Sequence, residues 1–274
     1  MIKMSAVIFI FIFGLIVGSF LNALIHRLHS GESMLERHSR CPHCRHALSA
    51  ADLVPILSFF ALRGRCRYCR KPISWQYPLV ELATAVAFVL VYFDVTTSAL
   101  GNGKFPISNF QFLNYLPATT YQLIFYLVFA CFLIVIFVYD LRHFLILDKV
   151  VFSASALALL YAFAQGNFLE AALGALLLSG FFGIIYLVSR GRWIGLGDVK
   201  LGIFLGLLVP FPETLALFAI AYLAGALVGM GLIAAGRKKF SDRLPFGTFL
   251  TFAAFIAMLW GKELVTWYLQ LIGI

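Results

Sequence analysis

Charge is what this sequence has least of. Only 12% of its 274 residues are Asp, Glu, Lys or Arg, against 62% hydrophobic. A soluble domain carries about 25% charged residues, so a soluble globular chain is excluded and a polytopic membrane protein is expected. Acidic groups are scarcest, twelve against 21 Lys and Arg. There are five cysteines, too few for a disulfide-rich scaffold. No glycine-rich turn with an acidic ribose partner is visible, so a Rossmann-type nucleotide site cannot be placed. No fixed-period repeat is present.

What is there is a series of long apolar runs. About 20 residues cross the hydrocarbon core, and the pattern predicts eight spans near 5–25, 76–97, 121–139, 150–165, 169–189, 201–212, 214–234 and 245–260. The first follows Lys3 and has no small-residue cleavage site directly after it, so it is expected to be a retained helix rather than a signal peptide. The sixth is short and ends at Pro210–Glu213. Gly166-Asn167 is the whole turn between the fourth and fifth. Residues 262–274 either lie at the interface or extend the last span. Within the first span, Gly14 and Gly18 form a small-xxx-small pair suited to close helix packing.

The net charge of +9 follows topology. Eighteen of the 21 Lys and Arg fall in loops 26–75, 140–149, 190–200 and 236–243; Lys3, Lys104 and Lys262 fall on the other side. The positive-inside rule puts those four loops in the cytoplasm and the N-terminus outside. The same distribution fits attraction to anionic lipid and excludes a nucleic-acid patch. The expected organisation is a transmembrane helix at 1–25, a cytoplasmic loop domain at 26–75 and a multi-span membrane domain at 76–274.

The loop domain holds two C-x2-C pairs, Cys41/Cys44 and Cys66/Cys69, with 21 residues between them. Each pair converges two thiolates on one ion, and four soft sulfurs in a tetrahedron suit zinc. A cytosolic loop argues against disulfides. Four thiolates leave no open position, so the zinc is expected to be structural. His43 and His46 lie close enough to exchange in as ligands. Cys131 stands alone in the third span as an apolar packing residue.

An acid inside a span is costly and needs a reason. Asp140 closes the third span in "FVYDLRHFLILD" and Asp198 opens the sixth in "GLGDVKL". The topology places both at cytoplasmic span ends, at one depth. Two carboxylates held together share a proton, which is what an aspartyl protease pair requires. Gly195 and Gly197 would leave room for another backbone to approach Asp198. The simpler alternatives are a helix N-cap for Asp198 and a boundary residue beside Arg142 for Asp140. Asp148 is a helix cap or an orienting group, with Lys200 as a supporting cation. Glu81, one turn past Pro78 in the second span, is not expected to face lipid; its role is structural or catalytic.

Together these stretches resemble the type IV prepilin peptidases, GxGD-type aspartyl proteases, over most of the chain. "GSFLNALIHRL" (18–28), the cysteine region 41–85, "DLRHFLILD" (140–148) and "GLGDVKL" (195–201) are similar to four ordered family motifs. The resemblance implies a bifunctional membrane enzyme of type IV pili and type II secretion. It would cut a short basic leader from prepilins or pseudopilins, then methylate the new N-terminal amine with S-adenosylmethionine. It implies Asp140 and Asp198 as the catalytic pair and Cys41, Cys44, Cys66 and Cys69 as zinc ligands. Leu147 stands where the family often has Pro, and His29 replaces the Pro of Arg-Leu-Pro.

The expected site is therefore a multi-pass protein of the bacterial inner membrane, with zinc loop and active site at the cytoplasmic face and substrates that share its lipid. Glu81 is proposed as base or anchor for the amine. The alternatives are a peptidase of this type without methylation and an ion-coupled transporter. Transporters place their acids near the midplane, whereas these lie at one interface.

Overall fold

The computed structural model describes residues 4–31, 39–101, 109–237 and 244–273. Lys3, Arg37, Lys104, Lys238, Lys239 and Arg243 of the charge pattern lie outside them. Among the described residues the chain is helical, without a strand. The helices are α1 (Met4–Ser30), α2 (Leu57–Ala61), α3 (Gln76–Gly101), α4 (Asn109–His143), α5 (Asp148–Gln165), α6 (Phe168–Ser189), α7 (Leu196–Leu208), α8 (Glu213–Ala234) and α9 (Phe246–Leu271), with a single 3-10 turn at Ala50–Leu53. Two compact units form, Met1–Cys131 and Phe132–Ile274, with α4 running from one into the other.

All eight expected spans are helices, but among the described residues only six are long and apolar enough to cross a membrane. The protein is thus a multi-pass membrane protein whose span count is about eight only if two short helices are included. α5 has 18 residues and begins on Asp148 and Lys149. α7 has 13 residues, about 20 Å at 1.5 Å per residue, against a core of about 30 Å. It is instead packed among α5, α6 and α9, with Leu201, Phe204 and Leu205 wholly buried. α9 runs on to Leu271 through a non-helical Trp260 (φ −123°, ψ 17°), so the tail extends the last span. Gly166 ends α5 at φ 74° and Asn167 caps α6, which makes the predicted two-residue turn.

In the first unit α1 lies on α3. A Cβ at Gly14 would sit 2.6 Å from Ala85 Cα, and one at Gly18 2.6 Å from Glu81 Cα. Those backbones meet only because both residues are glycine. At the same end Asn22 Nδ2 donates to Tyr77 O (3.0 Å), and Gln76 Nε2 donates to Asn22 Oδ1 (3.3 Å). These two bonds satisfy the buried Asn22 amide, which apolar packing would strand. The opposite face of α1, with Ile8, Phe9, Ile16 and Phe20, is exposed, as a lipid-facing stripe must be.

In the second unit glycines bring α6 and α7 together in the same way. A Cβ at Gly174 would lie 2.7 Å from Gly206 O, and one at Gly202 3.0 Å from Ser179 N. Close backbone contact over this length holds α7 rigid, and α7 carries Asp198 in its first turn.

Candidate active site and metal centre

Asp140 is buried near the end of α4. Its Oδ2 accepts two hydrogen bonds from one residue, Thr248: 2.7 Å from the backbone N–H and 3.0 Å from Oγ1. Thr248 lies in the first turn of α9, where helix N–H groups have no intrahelical partner, and Asp140 supplies the acceptor. Gly247 makes the approach possible, since a Cβ there would stand 3.0 Å from Asp140 Oδ2.

Asp198 is not the N-cap. Gly195 occupies that position, and Asp198 reaches back from the third helical residue to accept the Gly195 N–H at 3.3 Å. Glycine has no side chain to cap with, so the carboxylate does it from inside the turn. The room at Gly197 is filled by a side chain rather than a backbone. A Cβ at Gly197 would lie 3.1 Å from Ile146 Cβ, and Ile146 Cδ1 is in turn 3.2 Å from a Cβ at Gly247. Ile146 thus sits between the two glycines that flank the aspartates. Gly247 lies against Asp140 and Gly197 directly precedes Asp198, so Ile146 links the surroundings of the two aspartates. Aspartates 58 positions apart in sequence thus lie beside the two glycines that one side chain contacts.

Asp148 opens α5 and receives both its contacts from Lys200 Nζ, at 2.8 Å to each carboxylate oxygen. That ion pair ties α5 to α7 two residues beyond Asp198, and Lys200 also lies 5.7 Å over the Phe152 ring. Leu147 caps α5 with φ −80°, within the range a proline ring imposes, so the departure from the family pattern leaves the turn unchanged.

The sequence reading missed Ile146, Gly247 and Thr248. "LPFGTFL" (244–250) reads as the plain start of a span. A glycine beside a hydroxyl residue at a helix start was its only signal.

In the first unit the two cysteine pairs are built alike. Cys41 N–H donates to His46 O (3.0 Å) and Arg45 N–H to Cys41 O (2.9 Å); Cys66 N–H donates to Lys71 O (2.9 Å) and Arg70 N–H to Cys66 O (3.0 Å). Arg45 (φ 56°) and Arg70 (φ 61°) turn each knuckle back on itself. The four sulfurs all lie within 4.8 Å of one another, with Cys41 and Cys69 Sγ at 3.9 Å. A tetrahedron with sulfurs ~2.3 Å from zinc spaces them ~3.8 Å apart, so the donor set fits that ion. The four thiols also perturb one another. Amide groups of Cys69 and Tyr68 hold the Cys66 thiol down to about 7. At Cys69 the Lys71 amide is outweighed by burial and by the neighbouring thiols, which push it up to about 11. Four thiolates cannot coexist so closely without a cation among them. His46 instead packs on Tyr68, ring centroids 3.7 Å apart.

Asp52, in the 3-10 turn between the two knuckles, anchors the second of them, and its side chain is buried. It accepts hydrogen bonds from Arg67 Nε (2.6 Å), Tyr68 Oη (3.2 Å), Ser49 Oγ (2.8 Å) and Ser49 N (3.1 Å). Burial pushes its carboxyl up, but these donors, Arg67 foremost, outweigh burial and hold it at about 2. Glu81, buried in α3, accepts the Ile56 N–H at 2.7 Å, fastening the turn before α2 to the span.

The sequence model of the Bacterial Peptidase A24 N-terminal domain matches residues 12–95, and that of the Type IV leader peptidase family matches residues 127–230. Similar curated proteins are each named prepilin leader peptidase/N-methyltransferase. That of Aeromonas hydrophila is 32% identical over 95% of this chain and 92% of its own length. That of Bacillus subtilis is 31% identical over 96% and 97%, and that of Pseudomonas aeruginosa 29% over 95% and 92%. No solved structure matches. The first match spans the cysteine knuckles and the second both aspartates; with identity above 30% along nearly the whole of two relatives, the chain belongs to the prepilin leader peptidase/N-methyltransferase family.

Proposed function

We propose that this protein removes the basic leader from type IV prepilins and pseudopilins with Asp140 and Asp198, then methylates the new N-terminal amine. The observation that carries the peptidase half is the placement of Asp140, near the end of α4, and Asp198, at the start of α7, beside the two glycines that Ile146 contacts. One carboxylate takes a proton from the attacking water, and the other donates a proton to the scissile carbonyl oxygen. The tetrahedral intermediate then collapses with transfer of a proton to the leaving amine. Gly195, Gly197 and the Asp148–Lys200 pair hold the start of α7 in place for this.

The reading places both aspartates and residues 26–75 at the cytoplasmic face of the inner membrane, supported by the Lys and Arg distribution. The basic leader then remains in the cytoplasm while the apolar stem lies in lipid beside residues 76–274. Cys41, Cys44, Cys66 and Cys69 hold a structural zinc that orders the loop domain. S-adenosylmethionine, when bound, supplies an electrophilic methyl group. Glu81 is the carboxylate assigned to the amine, held in orientation by the Ile56 N–H.

The test incubates detergent-solubilised protein with a prepilin and S-adenosylmethionine and reads the product N-terminus by mass spectrometry. Cleavage and a one-methyl mass gain are expected, with no cleavage by D140N or D198N. Cleavage by both variants would refute the aspartate pair. Cleavage without methyl gain would leave a peptidase alone.

A further inference from the structure

The two aspartates are unequally supported, and this asymmetry points to a residue that the reaction scheme above does not use. Asp140 Oδ2 accepts two donors from Thr248, both buried and both at or below 3.0 Å. Asp198 Oδ2 accepts one amide, at 3.3 Å. Donors aimed at a carboxylate favour its ionised form, and two such bonds from one residue fix the plane of the carboxyl group as well. Gly247 seats that plane from one side. Both Thr248 bonds fall on Oδ2, and Oδ1 takes neither of them.

We propose that Thr248 is a positioning residue for the peptidase reaction: it holds Asp140 as the proton-accepting member of the pair, so that Asp198 is the proton donor. The proposal rests on the reading of Asp140 and Asp198 as the catalytic pair. Water gives its proton to Asp140 Oδ1 as its oxygen bonds to the scissile carbon. The Asp198 proton passes to the carbonyl oxygen, so charge and protons balance. Thr248 takes no proton; its two bonds keep Oδ2 out of the exchange.

The test uses the full chain in detergent with a prepilin. T248V keeps volume and the backbone N–H but removes the hydroxyl bond. A hydrogen bond to a charged group is worth roughly a tenfold factor or somewhat more. T248V is expected to lower kcat about tenfold with KM within about twofold, and T248S to restore kcat to within about twofold of the parent. Infrared difference spectra at neutral pH are expected to lose an ionised carboxylate band in D140N but not in D198N, and to shift that band in T248V.

A T248V enzyme with parental kcat overturns the proposal, as does a T248S variant no better than T248V. Loss of the band in D198N rather than D140N overturns the division of roles. An inactive D140N beside a fully active T248V refutes Thr248 alone, whereas an active D140N refutes the pair itself.

Discussion

Replacing Gly174 by Ala tests whether α6 sets the position of Asp198. The added Cβ would stand 2.7 Å from Gly206 O and 2.5 Å from Thr214 Oγ1. The Thr214 side chain can turn away; the Gly206 carbonyl belongs to the α7 backbone and cannot. C–H···O contacts settle near ~3.3–3.6 Å, so the helices must part by about 0.6–0.9 Å. Overpacking of this kind costs about 1–3 kcal/mol. A misplacement near 1 Å, even remote from the chemistry, can cost ~100-fold in rate. G174A should therefore cut prepilin cleavage by roughly 10–100-fold. Methylation of a pre-cleaved pilin should stay near the parental rate, because α6 and α7 belong to the unit that lacks the cysteine knuckles and Glu81. The comparison is G180A on the same helix, whose Cβ meets nothing within 4 Å; it should cleave normally. Cleavage by G174A within about threefold of the parent, with G180A equal to it, would refute the idea that this contact fixes the site.

The zinc lobe and Glu81 give three more tests. Losing an outer-shell partner already weakens metal affinity ~10–100-fold, so C41S should lower zinc affinity at least ~100-fold, read by zinc content after chelator competition; full zinc retention would show that Cys41 is not a ligand. D52N removes the Arg67 and Tyr68 anchor and should speed zinc loss to a chelator at neutral pH. Because the Asp52 carboxyl sits at about 2 in the folded lobe against an ordinary 3.8, its contribution is present above about pH 4 and vanishes as pH falls toward 2; near-ultraviolet circular dichroism of D52N should lack that step. E81Q should cleave normally, and if Glu81 deprotonates the amine its methylation should fall ~100-fold or more; normal methylation by E81Q removes that role and leaves Glu81 as the acceptor for Ile56 N–H.

The helices were legible because a bilayer demands uninterrupted apolar runs, and those runs are printed in the chain. Span length was less legible. The apolar stretch of the sixth segment runs into Pro210, and hydropathy alone cannot tell a short buried helix from a true crossing. α7 proves short because neighbouring helices, rather than lipid, surround it. The Gly14/Gly18 pair was readable as a contact, since only missing side chains permit it. Its partners, Ala85 and Glu81, required coordinates.

Of the site, the residues that bear charge or sulfur were readable and those that orient them were not. A carboxylate or thiolate in an apolar chain is conspicuous because it costs energy there. Thr248 costs nothing at the start of α9, where a free N–H and a hydroxyl are ordinary, and its importance lies in where they point. Asp198 shows the same limit from the other side. The sequence offered helix capping and chemistry as alternatives, whereas a glycine at position 195 transfers part of the capping to the carboxylate itself. One Asp198 oxygen is thereby committed to Gly195 N–H at only 3.3 Å, weaker than the paired bonds on Asp140. The residue in the first turn of α7 is thus also the one that holds the shared proton and has it to deliver, because a single long capping bond favours its ionised form less than the paired bonds favour that of Asp140.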